Sequence, residues 1–157
     1  MFFLIFLKLK KTNLKNHCSV IGSLLSTHML LTNENPYLGD FTMDDYDGYL
    51  LTMAHDLAIR LSVAFENTTT KLPYPRVNLM HGVLPGTINE TCTAGAGSLL
   101  LEFGILSKLL DDNIFENTVR NVNAKLWEFR NKNTNLLGMF YAFQKNIKFL
   151  LFYRKCN

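Results

Sequence analysis

Cysteine is scarce in this 157-residue sequence, and Cys18, Cys92 and Cys156 lie far apart. They form no CxxC pair and no Cys/His metal spacing, so neither a disulfide framework nor a zinc site is indicated. Long apolar runs are missing as well: no stretch approaches the roughly 20 residues that a membrane-spanning helix needs. Phe2 to Leu7 imitates the core of a signal peptide, but the run is short and its lysines follow it instead of preceding it. No serine sits in GxSxG and no HExxH occurs, which removes two hydrolase signatures. Gly95-Ala96-Gly97 lacks the third glycine and the preceding strand of a dinucleotide fingerprint, and reads as a place of close helix packing.

Evenly spread basic charge is also absent. The formal net charge of +3 comes from 16 Lys and Arg against 13 Asp and Glu. Residues 1–19 hold Lys8, Lys10, Lys11 and Lys15 without an acid, and residues 139–157 hold Lys145, Lys148, Arg154 and Lys155 without one. The middle, residues 20–138, carries eight bases against all 13 acids, a net of −5. An acidic middle between two basic, aromatic ends is not a nucleic-acid footprint, which would place bases on the folded face. The ends alone, with Phe149, Phe152 and Tyr153 among lysines, have the composition of an RNA- or membrane-surface segment. An apolar content of 48% excludes a wholly disordered chain.

Hydrophobic periodicity predicts helices. Ile21, Leu24, Leu25 and His28 mark one over Val20–Leu31, ended before Asn35-Pro36. Thr42 and Asp45 fit a capping box for a second, whose apolar face runs from Tyr46 to about Phe65, with Asp56 and Arg60 as an i,i+4 pair. A long connection, Glu66 to Thr91, holds three prolines and two N-x-[ST] sequons, at Asn67 and Asn89. Within it Tyr74–Leu79 suits a short extended piece. A third helix over Thr93–Leu110 is apolar around nearly its whole circumference, and a fourth spans Ile114–Arg130 with Phe115, Val119, Val122 and Leu126 on its stripe. The fold class is all-α, built of helical hairpins.

One residue breaks the pattern. Between Thr93 and Ser107 the only charged side chain is Glu102. A buried, unpaired carboxylate costs several kcal/mol, so Glu102 must be paired, protonated or directed to solvent or a polar cavity. Arg76 and Arg120 are the candidate partners. Perturbed carboxylates of this kind cluster at functional sites. His28, His55 and His81 have no partner at metal-ligand spacing and read as core-edge or surface histidines.

The middle of the chain resembles glycoside hydrolase family 47, the class I α-mannosidases, and among them the endoplasmic reticulum degradation-enhancing α-mannosidase-like group. The resemblance covers about residues 20–138 and rests on Val20–His28, Met53–Arg60, Ala64–Asn67, Leu72–Leu79 (LPYPRVNL), Glu90–Ser107 (ETCTAGAGSLLLEFGILS) and Leu136–Gly138. It implies an (αα)7 barrel of which this chain is a piece. It also implies the endoplasmic reticulum lumen, high-mannose N-glycans and misfolded glycoproteins as partners, and in some members a disulfide-isomerase partner. The family reaction is inverting hydrolysis of terminal α1,2-linked mannose, which needs two carboxyl groups roughly 6.5–9.5 Å apart. A bound Ca2+ assists it.

Carried over by position, Glu102 matches the pocket carboxylate of the leucine-glutamate-phenylalanine motif, and Arg76 and Asn78 match a loop near the pocket. Lys15 stands where a phenylalanine-glutamate motif supplies a catalytic acid. The later catalytic aspartate and glutamate and the calcium-binding threonine have no counterpart after Gly138. The expectation is therefore a partial family 47 domain, from a truncated gene or a splice form, flanked by non-matching tails at 1–19 and 139–157. This chain by itself is expected to be inactive, with a non-catalytic module for misfolded glycoproteins or glycans as the alternative. Two or so hairpins taken from a closed barrel should also leave the all-round apolar Leu99–Leu110 helix uncovered.

Overall fold

The computed structural model describes residues 12–32, 37, 39–66, 68–88 and 90–142. Both sequon asparagines, Asn67 and Asn89, and most of the two basic ends lie outside the described residues.

Helix α1 runs over Leu14–Leu31, six residues longer at its start than the periodicity predicts. The reason is that the apolar face continues backwards: Leu14, His17, Cys18, Ile21, Leu25 and His28 recur at three- and four-residue steps and are all buried. Ahead of it, β1 (Thr12–Asn13) pairs antiparallel with β2 (Arg76–Val77), setting Asn13 opposite Arg76. The Leu14 amide donates to the Pro75 carbonyl at 2.9 Å, so the long connection is fastened to the N-terminus of α1.

Helix α2 covers Tyr49–Ser62 and continues as a 3-10 turn, Val63–Phe65. The capping box at Thr42 does not form. Instead the Thr42 hydroxyl and amide both donate to Asp40 Oδ1, at 2.6 and 3.1 Å, and the chain enters the helix through Gly48 at φ 81°. Asp47 Oδ1 then takes the Tyr49 amide at 3.1 Å, filling the role expected of Thr42. Ala54, Leu57, Ala58 and Leu61 bury against Ile21 and Leu25 of α1 in one core. The predicted Asp56–Arg60 pair is present and bidentate, with distances of 2.9 and 3.1 Å.

The connection between α2 and the next helix is ordered where it touches the core. Leu72 is fully buried, the Tyr74 amide donates to Ala64, and Asn78 bridges Gly82 across a tight turn. The predicted apolar helix divides into α3 (Thr93–Gly97) and α4 (Leu100–Leu110). Taken as one 18-residue run, Thr93–Leu110 has a mean hydropathy of 1.3 and is, by length and composition alone, apolar enough to cross a membrane, contrary to the expectation that no stretch comes close. Its inward side nevertheless belongs to the protein core: Leu99, Phe103 and Leu106 are buried there. On the outward side Leu101 is 68% exposed, whereas Leu100, Ile105, Leu109 and Leu110 are partly buried against the core, so the helix is less uncovered than expected.

Asp111, in the left-handed region at φ 52°, turns the chain into α5 (Ile114–Glu128), completing a helical hairpin. Phe115, Val119, Val122 and Leu126 form its buried stripe. The close approach foreseen at Gly97 is real, since a methyl there would stand 3.2 Å from Asn123 Oδ1 and 3.3 Å from Leu126 Cδ1. Beyond α5, β4 (Phe140–Ala142) pairs antiparallel with β3 (Glu90–Cys92), and the Thr93 hydroxyl donates to the Gly138 carbonyl. The architecture is therefore mostly helical, not purely so. Each two-stranded ribbon has one strand immediately before a helix and fixes where the chain enters it.

Candidate functional site

Glu102 occupies the first turn of α4, where the positive end of the helix dipole favours a carboxylate. Its side chain lies across α1 at Gly22. A methyl group at residue 22 would stand 3.3 Å from Glu102 Cγ and 4.0 Å from Oε1. The other oxygen, Oε2, is buried and has no hydrogen-bond partner among the described residues. Neither candidate arginine pairs with it: Arg120 Nε donates to Glu116 at 2.6 Å, and Arg76 is exposed on β2. Buried polar atoms in folded proteins are almost always satisfied, so an orphaned carboxylate oxygen is an acceptor awaiting a donor.

One turn before Gly22 on the same helix is Cys18, 1% exposed. Burial, and then the negative charge of Glu102, push its thiol up to about 12. It is therefore a neutral, inert wall beside the carboxylate, not a nucleophile. His17, also buried, is held below the ordinary imidazole range by desolvation.

Lys15 is exposed on the first turn of α1, and ribbon pairing sets Arg76 opposite Asn13, two residues earlier in the chain. Two cations thus gather at the N-terminal end of α1, while Glu102 rests against its middle. Asn78 closes the turn after β2, its Oδ1 accepting the amides of Met80 and His81 at 2.9 and 3.0 Å. His28 bonds the Tyr46 phenol at 2.7 Å, His55 packs edge-on to Phe115, and His81 is exposed. An open groove of about 770 Å³, lined by residues that include Gly97, Leu101, Gly104 and Lys108, lies on a different side of α4, and Glu102 does not line it.

Sequence reasoning found Glu102 but not its neighbours. A signal for Gly22 was available, because a glycine inside a helix costs roughly 0.5–1 kcal/mol against alanine and is kept where something approaches closely. Among the described residues no group of three or more His, Cys, Asp or Glu side chains converges to hold a metal ion.

The sequence profile of glycosyl hydrolase family 47 matches residues 17–149. The human ER degradation-enhancing alpha-mannosidase-like protein 3 is 42% identical over 128 residues, covering 76% of this chain and 13% of its own length. Alpha-mannosidase I MNS4 of Arabidopsis thaliana is 40% identical over 119 residues, covering 76% of this chain and 18% of its own. The alpha-1,2-mannosidase from Trichoderma reesei, a solved structure, superposes with a TM-score of 0.72 at 25% identity, over 85% of this chain and 28% of that one. The chain thus spans less than a third of the length of each of these proteins. A profile match over most of the chain and a shared helical framework lead to one conclusion: this chain belongs to glycosyl hydrolase family 47.

Proposed function

We propose that this chain is a segment of an α1,2-mannosidase-like protein that trims high-mannose N-glycans of misfolded glycoproteins in the endoplasmic reticulum lumen, ahead of their degradation. The names of its relatives support the compartment and the substrate class. The observation that carries the reading is Glu102, whose buried Oε2 has no donor among the described residues and offers an acceptor for a sugar hydroxyl. In the complete protein the bare side of α4 around Leu101 meets the next hairpin of an (αα)7 barrel, and residues 20–138 form the part of that domain which contributes Glu102.

By itself the chain binds without hydrolysing. Inversion requires an acid on the leaving oxygen and a base on the opposite face. The position that resembles the catalytic-acid site holds Lys15, an exposed side chain without a carboxyl group, so the pair of carboxyls is not complete here. Incubating the chain with a high-mannose glycan, with and without Ca2+, should liberate no mannose, and steady turnover would overthrow the reading. Adding α1,2-mannobiose should move the Glu102 side-chain carboxyl resonance in carbon-detected NMR; a resonance indifferent to saturating sugar would remove Glu102 from the binding surface.

A further inference from the structure

We infer that Gly22 is a positioning residue, whose missing side chain forms the seat that fixes the Glu102 carboxylate against α1. Three observations converge on it. Among the described residues, and apart from its chain neighbours and the backbone of its own helix, a Cβ at residue 22 would meet only Cγ and Oε1 of Glu102 within 4 Å. Outside α1 itself, the group that a methyl there would disturb is therefore Glu102. The carboxylate has no hydrogen bond at Oε2 to hold it, so packing must. Gly22 also lies within the helical run of α1 and outside the positive-φ positions, so its backbone does not demand glycine. The notch is kept for the neighbour.

At 3.3 Å the contact is tight enough that a methyl would push Glu102 aside by a few tenths of an ångström. A displaced carboxylate makes a poorer hydrogen bond to a sugar hydroxyl, and the partial loss of that bond should cost about fourfold in affinity. That consequence rests on the glycan-binding reading above, whereas the seat itself does not.

The test uses the full chain and the variants Gly22→Ala, Glu102→Gln, their double, and Gly104→Ala, where an added methyl meets nothing within 4 Å. In the absence of sugar, Gly22→Ala should shift the Glu102 carboxyl carbon resonance and Gly104→Ala should not; an unmoved resonance in a folded Gly22→Ala overturns the inference. If Gly22→Ala does not fold, Glu102→Ala added to it should restore a cooperative melt, and failure to restore it also overturns the inference. Titrated with α1,2-mannobiose, Gly22→Ala should lose about fourfold in the wild-type background and nothing further in the Glu102→Gln background. Additive losses would show that Gly22 acts elsewhere. If the wild-type chain does not bind mannobiose, the glycan reading fails, while the resonance and the rescue still decide the role of Gly22.

Discussion

Cys18 makes the stability of this fold sensitive to alkali in a way that can be isolated. An ordinary thiol titrates near 9, and burial together with the Glu102 charge pushes Cys18 up to about 12 in the folded chain. Between those values the folded protein keeps a proton that the unfolded chain releases, so the unfolded state binds fewer protons and stability falls as pH rises. The contribution is fully present below pH 9. At one unit of pH per 1.36 kcal/mol, about 2 kcal/mol should be lost by pH 10.5 and on the order of 4 kcal/mol by pH 12. Against a typical domain stability of about 5–15 kcal/mol, the first figure is readily measured.

The assay is urea unfolding at pH 8.0, 9.0, 9.75 and 10.5, comparing the wild-type chain with Cys18→Ala. The variant carries a pH-independent packing loss but no titrating group at this position, so its alkaline limb should be shallower by about 2 kcal/mol at the upper end. Tyr46, also raised, mainly by desolvation, adds a slope of the same sign, but it is present in both proteins and cancels. Glu102→Gln should lie between the two, since it removes only the smaller cause. Parallel limbs in wild type and Cys18→Ala would refute the burial of the Cys18 thiol in the core.

Three further outcomes follow from the packing and the charges. His17 is depressed by burial, so its contribution is intact above about pH 6.5 and declines as the unfolded imidazole protonates below it; His17→Gln should flatten that acid limb in thermal melts between pH 7 and 5. Leu61, fully buried between α1 and α2, should cost about 2–5 kcal/mol when cut to alanine, measured as a drop in the urea midpoint at constant m-value. Asp56→Asn should cost only a few tenths of a kcal/mol, because the Arg60 pair is 34% and 40% exposed, and that loss should shrink in 1 M NaCl.

Much of the helical frame was legible because its signal is local. Ile21, Leu25 and His28, or Phe115, Val119, Val122 and Leu126, lie on stripes that bury as their spacing requires. The start of α1 was hidden because Leu14, His17 and Cys18 sit at the edge of a lysine-rich segment whose charge outweighed three apolar positions. Thr42 misled for a chemical reason: its hydroxyl had a nearer acceptor in Asp40 than any helix amide. The ribbons are two or three residues long, too short for alternation to register. Glu102 stood out as one charge in an apolar run. Its seat at Gly22 did not, since the two are 80 positions apart and only the packing of α4 on α1 joins them.

Lys15 shows how the chemistry of this helix can change without its fold. Its side chain is exposed, so the core does not depend on it. It nevertheless occupies the first turn of α1, which has no acidic residue and no side-chain cap from Asn13. A cation there opposes the helix dipole, where a carboxylate would be favoured by about 0.3–1 kcal/mol. Arg76, held opposite Asn13 by the ribbon, adds a second positive charge at the same end. Lys15→Glu should therefore stabilise the chain by up to about 1 kcal/mol at low ionic strength, with most of the gain screened at 1 M salt. It should still release no mannose, because one added carboxyl group does not by itself make the pair that inversion needs. A Lys15→Glu chain that melts at the same urea concentration as wild type in 10 mM salt would show that the lysine is not felt by the helix terminus. A gain that survives high salt would point to a packing change instead of the electrostatic one argued here.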